Sequence, residues 1–325
     1  MGKKLHRTMI GGQAVIEGVM MRGVDKTALA VRKPDGEIYL ETWPSISVRG
    51  RFSPFRIPFV RGIFNFVEML ISGYKTLTKS AEIASEEVSA ESGTTEQPAD
   101  TTAAEPVKVK EKEESGISKA AMGGLTVLSL LLGLAIAVLL FVVAPTMLVG
   151  KTDRFVHWGM FRTLVEGIIK IIVFIAYLAL TSLMKDIQRL YQYHGAEHKT
   201  IACYEHGAAL TPENARKYTR FHPRCGTSFL LIVMIVSIIL YSFLTWKTLW
   251  LRIVLKLVLL PLVVGISYEI IKFAGRHDNS VMRFLLAPGL WLQRLTTREP
   301  DDSQLEVAIR SIEAVLTTNP EDDKW

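Results

Sequence analysis

Residues 120–149, AAMGGLTVLSLLLGLAIAVLLFVVAPTMLV, form a run of thirty residues without a single charged side chain. A helix needs about 20 apolar residues to cross the hydrocarbon core of a bilayer, so this run predicts a membrane span. Over the whole chain of 325 residues, 49% are hydrophobic and the mean hydropathy is +0.25. That composition is too apolar for a typical soluble globule, and it indicates a membrane protein.

Three further apolar segments are predicted to span the membrane: Thr163–Met184, Gly226–Trp246 and Leu249–Ile271. Glu166 and Lys170 lie four residues apart in the first of them, and we interpret them as a structural ion pair on one helix face. The expected fold class is therefore mainly α, with about four transmembrane helices between residues 118 and 275.

Both ends of the chain are predicted to fold outside the spans. Residues 1–84 are expected to form an N-terminal cytosolic or interfacial region, with a small β-hairpin turning at Lys33-Pro34-Asp35-Gly36. Residues 55–77 favour an amphipathic helix at the membrane interface, although their insertion into the membrane stays open. Residues 276–325 predict cytosolic amphipathic helices, the first of them interrupted at Pro288-Gly289.

The charge of +6 is unevenly distributed. Residues 85–117 are strongly acidic and too polar to bury a core, so they predict a disordered linker. Lys and Arg residues instead flank the apolar runs: seven lie in residues 185–225 and seven after residue 271, whereas the opposite loops carry few, such as Lys151, Arg154 and Lys247. This pattern favours a bacterial inner-membrane protein whose termini and 185–225 loop are cytoplasmic, with the bilayer rather than nucleic acid as its partner.

The loop 185–225 contains an unusual group of metal-ligand side chains. Its YQYHGAEHKTIACYEHG stretch (191–207) and the following FHPRCG (221–226) hold four of the seven histidines and both cysteines. Histidine and cysteine together favour a divalent metal such as zinc, or iron, over magnesium. The preferred ligands are His194, His198, His222 and Cys225; Cys203 and His206 are further candidates. Six ligands exceed one tetrahedral site, so some are expected to support others or to serve a second metal.

Glu197 is the candidate catalytic residue. His194, Glu197 and His198 match His-x-x-Glu-His, a pattern in which a zinc protease uses the glutamate to activate water. The protease assignment also needs a distant acidic ligand, for which Glu269 is a remote candidate. An alternative is that Cys225, at the start of a helix and near His222, acts as a nucleophile.

Four stretches resemble a known bacterial family: IGGQAVIEGVMMRG (10–23), YHGAEHKTIACYE (193–205), HPRCGTSF (222–229) and PGLWLQRLTTREPDDSQLEVAI (288–309). Together they are similar to the YqhQ-like membrane proteins, a family of unknown function labelled a predicted metal-dependent enzyme. The resemblance covers nearly the whole chain apart from the acidic linker. It implies a site that includes His194, Glu197, His198, Cys203, His222 and Cys225.

Two functions follow from these patterns. The first is a membrane-embedded metal-dependent hydrolase at the cytoplasmic membrane face, acting on a lipid-linked group or a peptide. The second is a non-enzymatic assembly or partner protein for other membrane proteins, with a structural metal site or a polar core. A transporter is less favoured, because the predicted spans have few polar side chains to line a pathway.

Overall fold

The computed structural model describes residues 6–45, 57–86, 119–152, 155–156, 158–243, 248–277 and 279–324. The chain is mainly helical, with one small antiparallel sheet near the N-terminus. The predicted acidic linker falls almost entirely on residues 87–118, which lie outside the described residues.

The sheet is a four-stranded meander in the order β1-β2-β3-β4. The strands are Gly11–Val15, Gly18–Arg22, Lys26–Arg32 and Ile38–Pro44. The hairpin predicted at Lys33–Gly36 is confirmed as the β3–β4 connection, and Gly36 takes the left-handed conformation with φ of 90°. The glycine-rich stretch before it, which has no clear periodicity in the sequence, forms the β1–β2 hairpin.

Ten helices follow among the described residues. They are α1 Val60–Ala84, α2 Lys119–Val138, α3 Ala144–Thr152, α4 Arg162–Thr181, α5 Lys185–Glu205, α6 Pro212–Ala215, α7 Gly226–Ser242, α8 Leu249–Arg276, α9 Ser280–Thr296 and α10 Asp302–Glu313. A π-helical turn, Leu139–Val143, joins α2 to α3. Of the helix predicted over residues 55–77, residues 60–77 lie in α1, residues 55–56 fall outside the described residues, and its position at the membrane interface stays a prediction.

Within the described parts of the chain, three helical segments are long and apolar enough to cross a membrane: Val127–Thr152, Arg162–Thr181 and Trp250–Arg276. The predicted span Gly226–Trp246 corresponds to α7, whose 17 described residues make it a shorter apolar helix. The apolar helices therefore agree with a membrane protein. The count of three candidate spans rests on helix length and composition.

Three sequence predictions about local structure are wrong. The predicted loop 185–225 is helical over Lys185–Glu205, which is α5, because its polar residues face other elements of the protein instead of solvent. Helix α9 runs through Pro288 without a break, since its packing against α7 continues on both sides of the proline. Glu166 does not form its predicted ion pair with Lys170, because Arg252 and Lys256 of α8 occupy its carboxylate instead.

The N-terminal sheet, α5 and α10 share one hydrophobic core, which we call the shared core. Strands β2 and β3 contribute Val19, Met21, Ala28 and Ala30; α5 contributes Tyr193, Ala196, Ile201 and Cys203; α10 contributes Leu305, Ala308, Ile309 and Ile312. Helix α10 begins at a capping box, in which Asp301 and Gln304 bond each other's backbone N–H groups. Segments almost 300 residues apart in sequence thus meet in one core, and α5 carries the candidate site residues into it.

Candidate metal centre

His194, His198 and Cys225 bring their ligand atoms together in one cluster. One ligand atom from each of the three lies within 4.8 Å of the others. The two histidines are one turn apart on α5, and their ring centroids are 4.4 Å apart. Cys225 is the N-cap residue of α7 and is buried. Helical spacing therefore supplies two imidazoles, and a helix start from another part of the chain supplies the thiol.

Both imidazoles are held by the same kind of hydrogen bond. Nδ1 of His194 donates to the carbonyl of Thr296 at 2.8 Å, and Nδ1 of His198 donates to the carbonyl of Arg220 at 2.6 Å. A carbonyl only accepts, so each Nδ1 carries a proton and each Nε2 faces the cluster, where its lone pair can bind a metal when the ring is neutral. Metal-binding histidines are commonly oriented through the second ring nitrogen in this way.

Nε2 is the atom through which each histidine faces the cluster. Nε2 of His194 lies 3.2 Å from Sγ of Cys225. Nε2 of His198 is buried and has no hydrogen-bond partner among the described residues. A buried polar nitrogen without a partner is unfavourable, and a metal ion at this position would satisfy it. The donor set of two imidazoles and one thiol therefore fits zinc or iron.

The protonation of the cluster favours a thiolate. Burial on its own raises the pKa of Cys225, but His194 and His198 outweigh it and hold that pKa well below its ordinary value. Burial likewise lowers the pKa of His194, and the adjacent Cys225 sulfur more than reverses this effect. The thiolate is the form of cysteine that binds metals and acts as a nucleophile.

Glu197 lies beside the cluster, in contact with the sheet. Its carboxylate packs against Gly12 of β1, where a Cβ atom would stand within 2.9 Å of Cγ, Cδ and Oε1. The side chain is buried, Oε2 has no hydrogen-bond partner among the described residues, and burial raises the pKa of this carboxyl. Gly12 is thus the small residue that lets a buried acid fit between α5 and the sheet.

His222 stands next to the cluster but faces a different partner. Its ring centroid is 5.5 Å from that of His198, while its Nε2 lies 3.8 Å from Glu205 and 3.4 Å from Arg224. Burial lowers its pKa. His222 is therefore a neighbour of the three converging ligands and not one of them in this arrangement.

The other two candidate ligands lie apart from the cluster. Sγ of Cys203 is buried in the shared core and bonds the carbonyl of Ala209 at 3.5 Å. His206 bonds the carbonyl of Ala202 through Nδ1 and stacks near Tyr218. The structure brings neither residue to His194, His198 and Cys225.

Two residues of the site carry no metal-ligand signature in the sequence. Gln293 of α9 is fully buried; its Oε1 accepts from the backbone N–H of His222 at 2.8 Å, and its Nε2 donates to the His222 carbonyl at 2.7 Å. Glu205 pairs with Arg224 and accepts from the backbone N–H of Thr8 at 2.9 Å. In the sequence, Gln293 is marked as a site residue by one signal, its amide side chain on the apolar face of α9. Together the two residues fix the segment that ends at Cys225.

Comparisons with known proteins found one family model and one relative similar in sequence to this chain. A family model described as "Protein of unknown function (DUF1385)" matches residues 57–318. The chain is also similar to the "Uncharacterized protein YqhQ" of Bacillus subtilis (strain 168), with 35% identity over 308 residues. That alignment covers 94% of this chain and 92% of the relative. No solved structure matches the chain.

Proposed function

This chain belongs to the DUF1385 family of YqhQ-like proteins, and from its buried cluster we propose that it is a membrane-embedded metal-dependent hydrolase. The observation that carries the proposal is the shared orientation of His194 and His198. Both rings are fixed through Nδ1 to backbone carbonyls, so both Nε2 atoms are turned toward the thiol of Cys225.

The number of ligands favours a catalytic site over a structural one. Structural zinc sites are usually closed by four protein ligands, whereas catalytic sites use three and leave one position open. His194, His198 and Cys225 provide three, and His222 is engaged with Glu205 and Arg224. Zinc bound by these residues would supply a Lewis acid that polarises a carbonyl or phosphoryl oxygen.

Glu197 is suited to move the proton in such a reaction. Its Oε2 atom lacks a hydrogen-bond partner among the described residues, while Oε1 lies against the backbone at Gly12. Burial raises its pKa, and a carboxylate with a higher pKa is a stronger base. Glu197 Oε2 is therefore the atom that we assign to accept a proton from the attacking water.

A polar cleft next to the cluster offers a place for substrate. The cleft has a volume of about 390 Å³ and is lined by three arginines, Arg220, Arg294 and Arg298, with Glu299 as its one acid. Arg220 is the residue whose carbonyl accepts from His198, and Thr297 in the cleft wall follows Thr296. The surplus of arginine favours an anionic group, such as a carboxylate or phosphate on a peptide or lipid-linked substrate.

The shared core supports four membrane crossings. Because the sheet, α5 and α10 pack together, they lie on one side of a membrane, and each chain segment between them crosses an even number of times. Residues 119–152 and α4 form the first pair. In the second, α7 accompanies α8; its 17 residues extend over about 26 Å, close to the thickness of the hydrocarbon core. The excess of Lys and Arg in this part of the chain favours a cytoplasmic position for the shared core in a bacterium.

The contact between His194 and Cys225 also favours a second candidate function. A cysteine at a helix start, with an imidazole 3.2 Å away, is the arrangement of a thiol nucleophile and its base. The Cys225 thiolate would then attack the carbonyl of an acyl substrate. A thioester forms as the acyl C–O or C–N bond breaks and the leaving group takes a proton from His194, and water then hydrolyses the thioester to an acid and the free thiol. This candidate needs no metal, so metal content separates it from the first.

The test is the metal content of the purified full-length protein after growth with zinc and iron, measured by plasma mass spectrometry. We expect about one ion per chain for the wild type, from one three-ligand site. His198→Ala and Cys225→Ser should lose the ion, and Glu197→Gln should keep it. The matched controls His206→Ala and Cys203→Ser remove a histidine and a cysteine outside the cluster, so they should also keep it.

Cobalt substitution distinguishes an open site from a closed one. Acetohydroxamate should change the visible absorption of the cobalt protein if a coordination position is open. An unchanged spectrum would favour the structural site of an assembly or partner protein. Wild-type protein that binds no metal, with Cys225 alkylated by iodoacetamide far faster than Cys203, would replace the metal proposal with the thiol one.

A further inference from the structure

A second charged cluster lies inside the apolar helical bundle, away from the metal centre. Glu166 of α4 is 3% exposed and accepts hydrogen bonds from Arg252 at 2.8 Å and Lys256 at 2.5 Å. Lys170, one turn further along α4, donates to Ser237 of α7 at 2.9 Å. Ser237 is twelve residues beyond Cys225 on α7, so about 18 Å of helix separates the two sites.

Lys170 also belongs to this cluster, but it does not form an ion pair with Glu166. Its described neighbours are the Ser237 hydroxyl and the ring of Tyr241, whose centroid is 5.9 Å from Nζ. Lys256 also donates to the Thr146 hydroxyl at 2.9 Å. Positive groups therefore exceed the one carboxylate among the described residues of the cluster. Charged side chains inside a membrane bundle usually mark a functional site.

These side chains border one cavity of about 80 Å³. Glu166, Lys170, Lys256 and the hydroxyls of Thr146 and Ser237 form its polar wall. A water molecule needs roughly 10–15 Å³, so the cavity has room for several waters or one anion of the size of phosphate. The π-helical turn contributes Phe141 and Val142 to the apolar wall, and such turns often occur at functional sites.

The composition of the walls identifies the ligand chemistry. The ammonium groups of Lys170 and Lys256 are donors suited to phosphate oxygens. The hydroxyls of Ser237 and Thr146 donate to backbone carbonyls and accept from these two lysines, so they hold the ammonium groups at the cavity wall. Leu257 and Leu260, which border the cavity, are 38% and 44% exposed on the apolar surface of the bundle, where an acyl chain could pack beside the polar wall. We propose that this cavity binds one phosphate group, carried by an anionic phospholipid or present as the free ion.

The test measures lipid binding to the delipidated full-length protein by native mass spectrometry. Phosphatidylglycerol, phosphatidylcholine and inorganic phosphate are the probes. Wild type should retain one phosphatidylglycerol, and Lys170→Met should bind it about tenfold more weakly, because one charge-assisted hydrogen bond is lost. Lys185→Met removes an exposed lysine at the start of α5 and should bind like wild type. Far-ultraviolet circular dichroism reports that each variant has folded.

The two sources of phosphate give different results. If the lipid is the ligand, millimolar inorganic phosphate will not displace phosphatidylglycerol, and phosphatidylcholine will bind less tightly. If the free ion is the ligand, inorganic phosphate will raise the melting temperature of wild type and not of Lys170→Met. If phosphatidylglycerol and inorganic phosphate each bind equally to wild type and to a folded Lys170→Met, the proposal is overturned.

Discussion

Gly195 lies so close to the backbone carbonyl of Arg298 that a Cβ atom at Gly195 would stand 2.0 Å from that oxygen. The glycine of the His-Gly-Ala-Glu-His stretch therefore lets α5 touch the chain that follows α9. A backbone hydrogen bond from the Arg298 N–H to the Tyr191 carbonyl, 2.8 Å long, closes the same contact. The contact brings Thr296 to within hydrogen-bonding distance of His194.

Gly195→Ala should separate these two backbones. We expect a loss of about 1–3 kcal/mol of stability from the forced overpacking. We also expect weaker metal binding, since the Thr296 carbonyl would no longer orient His194. Thermal unfolding and metal content of the purified protein measure the two effects. Gly11→Ala is the control, because a Cβ atom there meets nothing within 4 Å. A Gly195→Ala protein as stable as the control would show that the contact is dispensable.

Glu205→Gln should destabilise the protein in a pH-dependent way. Burial alone raises the pKa of Glu205, but His222 and Arg224 outweigh it and bring the pKa below 4.5. The folded state thus binds this proton less readily than the unfolded state. The stabilisation is present above about pH 4.5 and is lost as the pH falls through the folded-state pKa.

At pH 7 the substitution should cost about 3–5 kcal/mol, because Arg224 would be left buried without its carboxylate. Near pH 3.5 the difference between wild type and Glu205→Gln should shrink. Melting curves in detergent at both pH values measure it. Glu306→Gln, which removes an exposed carboxylate, serves as the control. A gap that stays constant with pH would mean that Glu205 is protonated in the folded protein.

Gln293→Leu should loosen the segment that carries His222 and Cys225. The substitution leaves the buried N–H and carbonyl of His222 without partners, which we expect to cost about 2–3 kcal/mol. Metal retention during dialysis against a chelator should fall as well. Arg294→Leu changes the neighbouring exposed residue and should leave both properties unchanged. Unaltered stability in Gln293→Leu would assign the segment's order to other contacts.

Four crossings predict opposite accessibility for two exposed positions. Phe155 is 88% exposed between α3 and α4, and Glu313 is exposed at the end of α10. A membrane-impermeant maleimide should label Phe155→Cys in intact cells. It should label Glu313→Cys only after the cells are permeabilised. Wild type gives the background, because Cys203 and Cys225 are both buried. Labelling of both variants in intact cells would contradict the proposed topology.

The sequence was most informative where a pattern is local. Apolar runs predicted the long helices, and the Pro-Asp-Gly turn predicted the β3–β4 hairpin, because each depends on a few adjacent residues. The spacing of His194 and His198 is also local: two residues four apart share one face once the segment is helical. For these features the chain's own periodicity was sufficient.

Features that depend on distant contacts were not predictable. Cys203 and Cys225 look equivalent in the sequence, yet the packing of the shared core draws Cys203 away from the cluster. Glu166 forms ion pairs with Arg252 and Lys256, which lie more than 80 residues away in the sequence. The sequence of α5 resembles a polar loop, because the residues that cover this helix belong to the sheet and to α10. Nothing in its own residues reveals these partners.

The shared core also sets when the protein can mature. The sheet, α5 and α10 come from the beginning, the middle and the end of the chain, and His194 is oriented by a carbonyl at Thr296. A ribosome that has reached α5 has made both histidines, but neither Cys225 nor the groups that hold the rings. Binding of the proposed metal would therefore follow synthesis of nearly the entire polypeptide. A chain that stops before residue 296 would reach the membrane with its spans in place and an incomplete site.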